Sequence, residues 1–297
     1  MLKTIVIVTI AVLNLESVET AYQEEFSYKT VLTESVSAEL AEAWDAPHMR
    51  GSPYLLMQAD SEHEVYLRFI QSAEVQDYAP MVTHGWNATE LLVLDPDAMA
   101  DQLADSAFEI IGPPKDLWSA PDAPRAMQVL GPGNEVVYLT RNNQFETTAA
   151  VDRVFIMVLA GPSMQAFSDF YGTTLGVPVG EATPFQISVV SNAQQLPPET
   201  TYPLAIATIS PEYLIELDEY PAEIPLRPLV AGEIPPGVSM VSFAVEDLDA
   251  IDVDYRSGPR DIDAFPYNGR RTAVTVGPAG EWLEFIETGE LASSAAP

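Results

Sequence analysis

Met240–Ile251 reads MVSFAVEDLDAI and Gly277–Glu287 reads GPAGEWLEFIE. The first stretch is a β-branched apolar run that ends in an Asp-containing turn. The second is a Gly/Pro hairpin that returns into a strand. Both patterns recur along the chain. The opening pattern appears as IVTIAVLNLESV (Ile7–Val18), ATELLVLDPDAM (Ala88–Met99) and VFIMVLAGPSM (Val154–Met164). The closing pattern appears as ADSEHEVYLRF (Ala59–Phe69) and GPGNEVVYLTR (Gly131–Arg141), with SPEYLIELDEY (Ser210–Tyr220) as the divergent fourth copy. Self-similarity at a fixed period is the first thing to establish, because it sets the whole architecture.

After each opening run comes an amphipathic stretch, with Asn14, Asp95, Ser163 and Asp247 placed as helix caps. Each unit therefore reads β-α-β-β-β. The four units run over about 4–72, 80–142, 152–222 and 238–290. A polar link, Gln144–Ala150, separates the halves, and a proline-rich stretch, Pro221–Gly237, separates units three and four. The expected class is α+β, with four βαβββ modules paired into two cup-like mixed sheets with flanking helices. The expected domains are 1–145 and 150–290, one cup in each. The small residues Leu291–Pro297 are expected to fray.

Composition narrows the function. With 13 Lys+Arg against 44 Asp+Glu, the formal net charge is −31. Nucleic acid and anionic membrane surfaces are poor partners for such a chain. The chain has no Cys, which removes disulfides, thiolate metal sites and cysteine nucleophiles, and suits a cytoplasmic setting. Met1–Leu15 has a Lys and then an apolar run, as a signal peptide does, but its Ile, Val and Thr content predicts a buried strand. No run reaches the roughly 18 apolar residues of a membrane span. No Gly-rich phosphate loop or nucleophile elbow is present, so no cofactor is expected.

The turn Val245-Glu246-Asp247-Leu248, the segment Phe170-Tyr171 followed by Leu175-Gly176, and the closing GPAGEWLEFIE together resemble the vicinal oxygen chelate superfamily. That superfamily includes glyoxalase I, extradiol dioxygenases and bleomycin-resistance proteins. The resemblance covers nearly the whole chain and implies a small-molecule site in each cup. It also implies a divalent metal held by His or Gln on a module's first strand and by Glu on its closing strand. Carried onto this chain, the first-strand positions are Ile7, Ala88, Ile156 and Met240, and the closing-strand positions are Tyr66, Tyr138, Glu216 and Glu284. Hydrocarbon side chains do not ligate hard or borderline cations. A metal-free N-terminal cup is therefore expected, with Glu216 and Glu284 converging in the C-terminal cup as the weak alternative metal pair.

The expected catalytic set is Arg68, Tyr66, His48 and His84. Arg68 and Tyr66 lie two apart on one strand and so share a face. Arg68 would hold a developing oxyanion, and Tyr66 or a His would move a proton. Trp86, Glu90, Tyr138, Thr140 and Trp44 are the expected substrate-binding residues. His63 lies in a hairpin turn and is expected to be solvated. The expected function is metal-independent proton transfer (isomerase, epimerase or lyase) on a small apolar or aromatic compound, by a monomer or homodimer. The alternatives are a non-catalytic binding or sequestering protein, and a metal-dependent dioxygenase or lyase using Glu216 and Glu284.

Overall fold

The computed structural model describes residues 2–61 and 63–288. The expectation of a frayed Leu291–Pro297 falls outside them. Module one is built from β1 (Leu2–Val12), α1 (Leu15–Phe26), β2 (Lys29–Ser35), α2 (Ala38–Ala43), β3 (Pro53–Gln58) and β4 (Tyr66–Gln71). Module two comprises β5 (Gly85–Val93), α3 (Pro96–Leu103), β6 (Glu109–Asp116), β7 (Arg125–Leu130) and β8 (Val136–Arg141). In module three, β9 (Val151–Gly161) leads into α4 (Met164–Phe167), followed by β10 (Thr183–Gln186), α5 (Ser188–Ala193), β11 (Thr201–Ser210) and β12 (Tyr213–Glu219). Module four holds β13 (Gly237–Val245), β14 (Arg260–Ile262), β15 (Arg270–Val276) and β16 (Trp282–Glu287). Among the described residues no helix is long and apolar enough to cross a membrane.

The four caps act as the sequence implies. Asn14 accepts from the Ser17 N–H, Asp95 from Asp97 and Ala98, Ser163 from Ala166, and Asp247 from Asp249. The backbone beyond the caps differs between modules. In module three the helix continues through a π-helical segment, Ser168–Thr174, and stops at Gly176, whose φ is +64°. In module four Asp247 caps only a single 3-10 turn, Leu248–Ala250, in place of the expected helix. The run Ile251-Asp252-Val253-Asp254 explains this, since β-branched residues and Asp are poor helix formers.

The eight-stranded sheets have the orders β14-β15-β16-β13-β1-β4-β3-β2 and β10-β11-β12-β9-β5-β8-β7-β6. The first, cup A, joins module one to module four. The second, cup B, joins module two to module three. The expectation of one cup from each half is thereby corrected. First strands pair antiparallel at the centre of each sheet, β1 with β13 and β5 with β9. The link after β8 carries the chain past β5 to β9, two strand spacings or about 10 Å away. Modules two and three close on each other, and β1 pairs with β13.

Alternation sorts the side chains. One face of each sheet contributes to a shared core that holds Val8, Ile10, Leu91, Leu139, Met157, Leu217, Val241 and Phe243. The opposite faces line the cups. Cup A contains Ile7, Trp44, Tyr54, Tyr66, Met240, Tyr267 and Trp282, and cup B contains Ala88, Tyr138, Val158, Val189, Tyr202 and Tyr220. A short helix roofs each cup, with α2 residues Leu40, Ala41 and Ala43 over A and α5 residues Val189 and Val190 over B.

Candidate active site in the cup of modules two and three

Parallel pairing within modules defines equivalent positions. Thr9 lies beside Arg68, Glu90 beside Tyr138, Val158 beside Glu216, and Ser242 beside Glu284. All four first-strand partners stand two residues beyond the positions obtained by counting, so Thr9 replaces Ile7, Glu90 replaces Ala88, Val158 replaces Ile156 and Ser242 replaces Met240. In module one the residue equivalent to Glu284 is Arg68, since Tyr66 pairs with Ile7 and matches Trp282.

Cup A is filled by its own side chains. Arg68 is 1% exposed. Its Nη2 donates to the Tyr267 hydroxyl at 2.8 Å, and its guanidinium lies 5.2–5.6 Å from the ring centroids of Trp44, Tyr54 and Tyr267. Glu284 is fully buried and accepts from Trp44 Nε1 at 2.8 Å, from the Ser242 hydroxyl, and from the Tyr267 hydroxyl at 3.0 Å. Burial pulls the Arg68 pKa down, but Tyr267 and Glu284 more than offset this. The result is a charge pair bridged by a phenol, in which both ions are hydrogen-bonded.

Cup B is charged differently. Glu90, Glu216 and Asp218 lie on its inner face, and both Asp218 oxygens are buried without a hydrogen-bond partner among the described residues. Glu90, Gln128, Tyr138 and Glu216 line a cavity of about 40 Å³, together with Phe185 of β10, Ile187, and Val189 of the roof helix. Lys115 stands at its edge and donates to Ser188 Oγ at 3.1 Å. Burial, the largest cause, raises the Glu90 pKa to about 7. Burial and then Glu90 raise Asp218 to about 8, and burial with Asp218 and Glu90 pushes Glu216 well up. Tyr138 is raised first by burial and then by Glu216, Asp218 and Glu90. Mutually repelling carboxyls in an apolar setting titrate closer to neutral pH than free ones, so that they can both give and take protons.

Neither cup fits the metal implied by the resemblance. In cup A a permanent cation occupies a ligand position, and Glu284 is committed to three donors. In cup B the equivalent four are Glu90, Tyr138, Val158 and Glu216, with no imidazole. Among the described residues no three His, Asp or Glu approach closely enough to hold a metal.

The structure regroups the residues singled out from sequence. Arg68, Tyr66 and Trp44 share cup A, while Glu90, Tyr138 and Thr140 share the other sheet. The expected facing of Tyr66–Arg68 with Tyr138–Thr140 is absent, because β4 and β8 belong to different sheets. Glu216 and Glu284 do not converge for the same reason, which removes that metal pair. Trp86 lies in the core between the sheets, and its Nε1 donates to the Trp282 carbonyl at 2.8 Å. His48 is exposed beside Gly232 and makes no hydrogen bond with Arg68 or Tyr66 among the described residues. His84 is 3% exposed, neither ring nitrogen has a partner among the described residues, and burial lowers its pKa. His63 is half-buried rather than solvated, with Nε2 3.8 Å from Asp152. Asp218 and Gln128 are not among the site residues expected from sequence. Asp218 lies two residues after Glu216 on one strand, and that period-2 spacing is the available signal.

No family model matches the chain, and no curated protein matches it in sequence. Solved structures do. Glyoxalase I from Zea mays superposes with a TM-score of 0.66 at 13% identity, covering 95% of this chain and 92% of that one. A single-residue variant of the maize protein gives 0.67, also at 13% identity, covering 95% and 93%. A proposed dioxygenase from Bacillus subtilis gives 0.61 at 10% identity, covering 96% and 85%. Four modules, two cups and this superposition over almost the whole length agree: the fold of this chain is the one seen in glyoxalase I from Zea mays.

Proposed function

We propose that the chain is a metal-independent enzyme of this fold that moves protons on a small, largely apolar compound bound in cup B. The observation that carries the reading is the placement of Glu90, Glu216 and Tyr138 on one cavity, with Asp218 behind them. A carboxylate there removes a proton from a substrate carbon, and a neighbouring carboxylic acid returns one elsewhere on the same molecule. The net change is an isomerisation, with no proton gained or lost. Groups whose pKa values lie near the working pH do this best. Arg68 and Tyr66, in this reading, hold cup A together and do not touch substrate.

The test uses deuterium wash-in. Small ketones and amines are incubated with the full chain in D2O and followed by proton NMR. Carbon-bound deuterium should appear with the wild-type protein and be lost in Glu90→Gln and Glu216→Gln variants that retain their circular dichroism. Equal exchange in the variants would overturn the site. Tight binding with no exchange in any compound would favour the sequestering alternative, which the small roofed cavity also suits.

A further inference from the structure

The two cups solve the same problem with different charges. In cup A the closing-strand carboxylate Glu284 is matched by the Arg68 guanidinium, enclosed by three aromatic rings. In cup B the equivalent carboxylate Glu216 is joined by Glu90 and Asp218, and Tyr138 stands where Arg68 would be. Lys115 is the one cationic side chain among the described residues of the cavity wall. It is exposed at the edge and tied to Ser188.

We propose that cup B binds a small organic cation, a protonated amine, amidine or guanidine, in the place that the Arg68 guanidinium fills in cup A. The inference rests on the reading of cup B as the working site and adds the class of its ligand. Cup A is the internal precedent, because the same fold there satisfies a buried carboxylate with a cation among rings. Cup B has the carboxylates and the rings without the cation. Tyr202 and Tyr220 lie 5.6 Å apart between centroids on its inner wall. Tyr138 is 6% exposed and lines the cavity. The Tyr220 hydroxyl and both Asp218 oxygens are buried and have no hydrogen-bond partner among the described residues. A cavity of about 40 Å³ admits a charged head of a few heavy atoms, with an apolar tail directed past Leu117 and Phe185. An anion would meet three carboxyls inside a chain of net charge −31.

Acetamidinium, acetamide and acetate share a shape and differ in charge, so they isolate this claim. Titration calorimetry on the full chain should show acetamidinium binding at least about tenfold more tightly than acetamide, and no heat from acetate. Glu216→Gln should weaken acetamidinium about tenfold or more and change acetamide much less. Tyr138→Arg, which supplies the cation internally, should abolish acetamidinium binding. If that variant does not fold, the Glu216→Gln comparison decides alone. Acetamide binding as tightly as acetamidinium, with both lost in Glu216→Gln, would overturn the cation and leave cup B as the site. Acetamidinium binding untouched by Glu216→Gln would place it on the acidic surface and overturn the inference. Loss of the proton-transfer reading in the deuterium experiment would leave these binding results standing by themselves.

Discussion

Cup A and cup B share a strand order, a central antiparallel pair and a helical roof, yet their interiors differ in kind. Cup A is closed chemically: its one buried carboxylate is matched by one buried guanidinium, and indole, phenol and hydroxyl donors complete the set. Cup B is open chemically: its carboxyls outnumber their donors, and a cavity remains. Duplicated modules can therefore divide labour. One cup satisfies its polar groups and supports the fold, and the other keeps an unmet demand that a ligand can fill.

The largest effect should come from breaking the closed cup. Arg68→Met leaves Glu284 buried without its counter-ion, and the cost should be about 3–5 kcal/mol in urea unfolding. Loss below about 1 kcal/mol would mean that the pair is not the support described here.

A pH titration of stability should separate the cups next. In cup B, Glu90 and Asp218 have folded pKa values raised to about 7 and about 8. Raised carboxyl values mean that the folded state keeps protons which the unfolded state has already released. Stability should therefore fall as pH rises from about 5 to about 8, by on the order of a few kcal/mol. Glu135 and Glu281, also raised to about 7 by burial, act in the same direction. Asp218→Asn should flatten the fall by removing one contributor. Denaturation midpoints at pH 5, 7 and 9 would check this, and a slope unchanged by Asp218→Asn would break the assignment.

Smaller effects sharpen the contrast. Trp44→Phe removes one donor to Glu284 and should cost about 1–3 kcal/mol, measured by thermal unfolding. Lys115→Ala releases an exposed bond to the roof of cup B and should cost under about 0.5 kcal/mol, while acetamidinium enters faster by stopped-flow.

Much of the fold was legible because it is written in short-range chemistry. The four caps and the Gly/Pro hairpins are local, and β-branched runs marked β1, β5, β9 and β13 directly. Which modules share a sheet was not legible. β1 and β5 present equally apolar edges, and alternation carries no record of which partner takes each one. That misassignment placed Arg68 opposite Tyr138 and Glu216 opposite Glu284. Glu135 and Glu281 were also opaque. They read as ordinary acidic residues closing a Gly/Pro turn, but each folds under its own hairpin. Glu281 accepts from the Tyr171 hydroxyl at 2.8 Å and from the Ala279 N–H at 2.8 Å, and Glu135 lies against Gly131 and Gly133. Glycines that leave room for a returning carboxyl are visible only once the turn is built.

The pairing of β1 with β13 joins residues more than 220 positions apart, as in Leu2 opposite Val245. Contact order is consequently high, and folding should be slow for a protein of this size. During synthesis, modules two and three can close cup B while β1 still waits with a bare edge, exposed to other chains. A chain severed in the Gln144–Ala150 link would leave half of each cup on each fragment, so neither fragment would form a complete sheet. The two fragments supplied together should reassemble, whereas either one alone should pair with copies of itself.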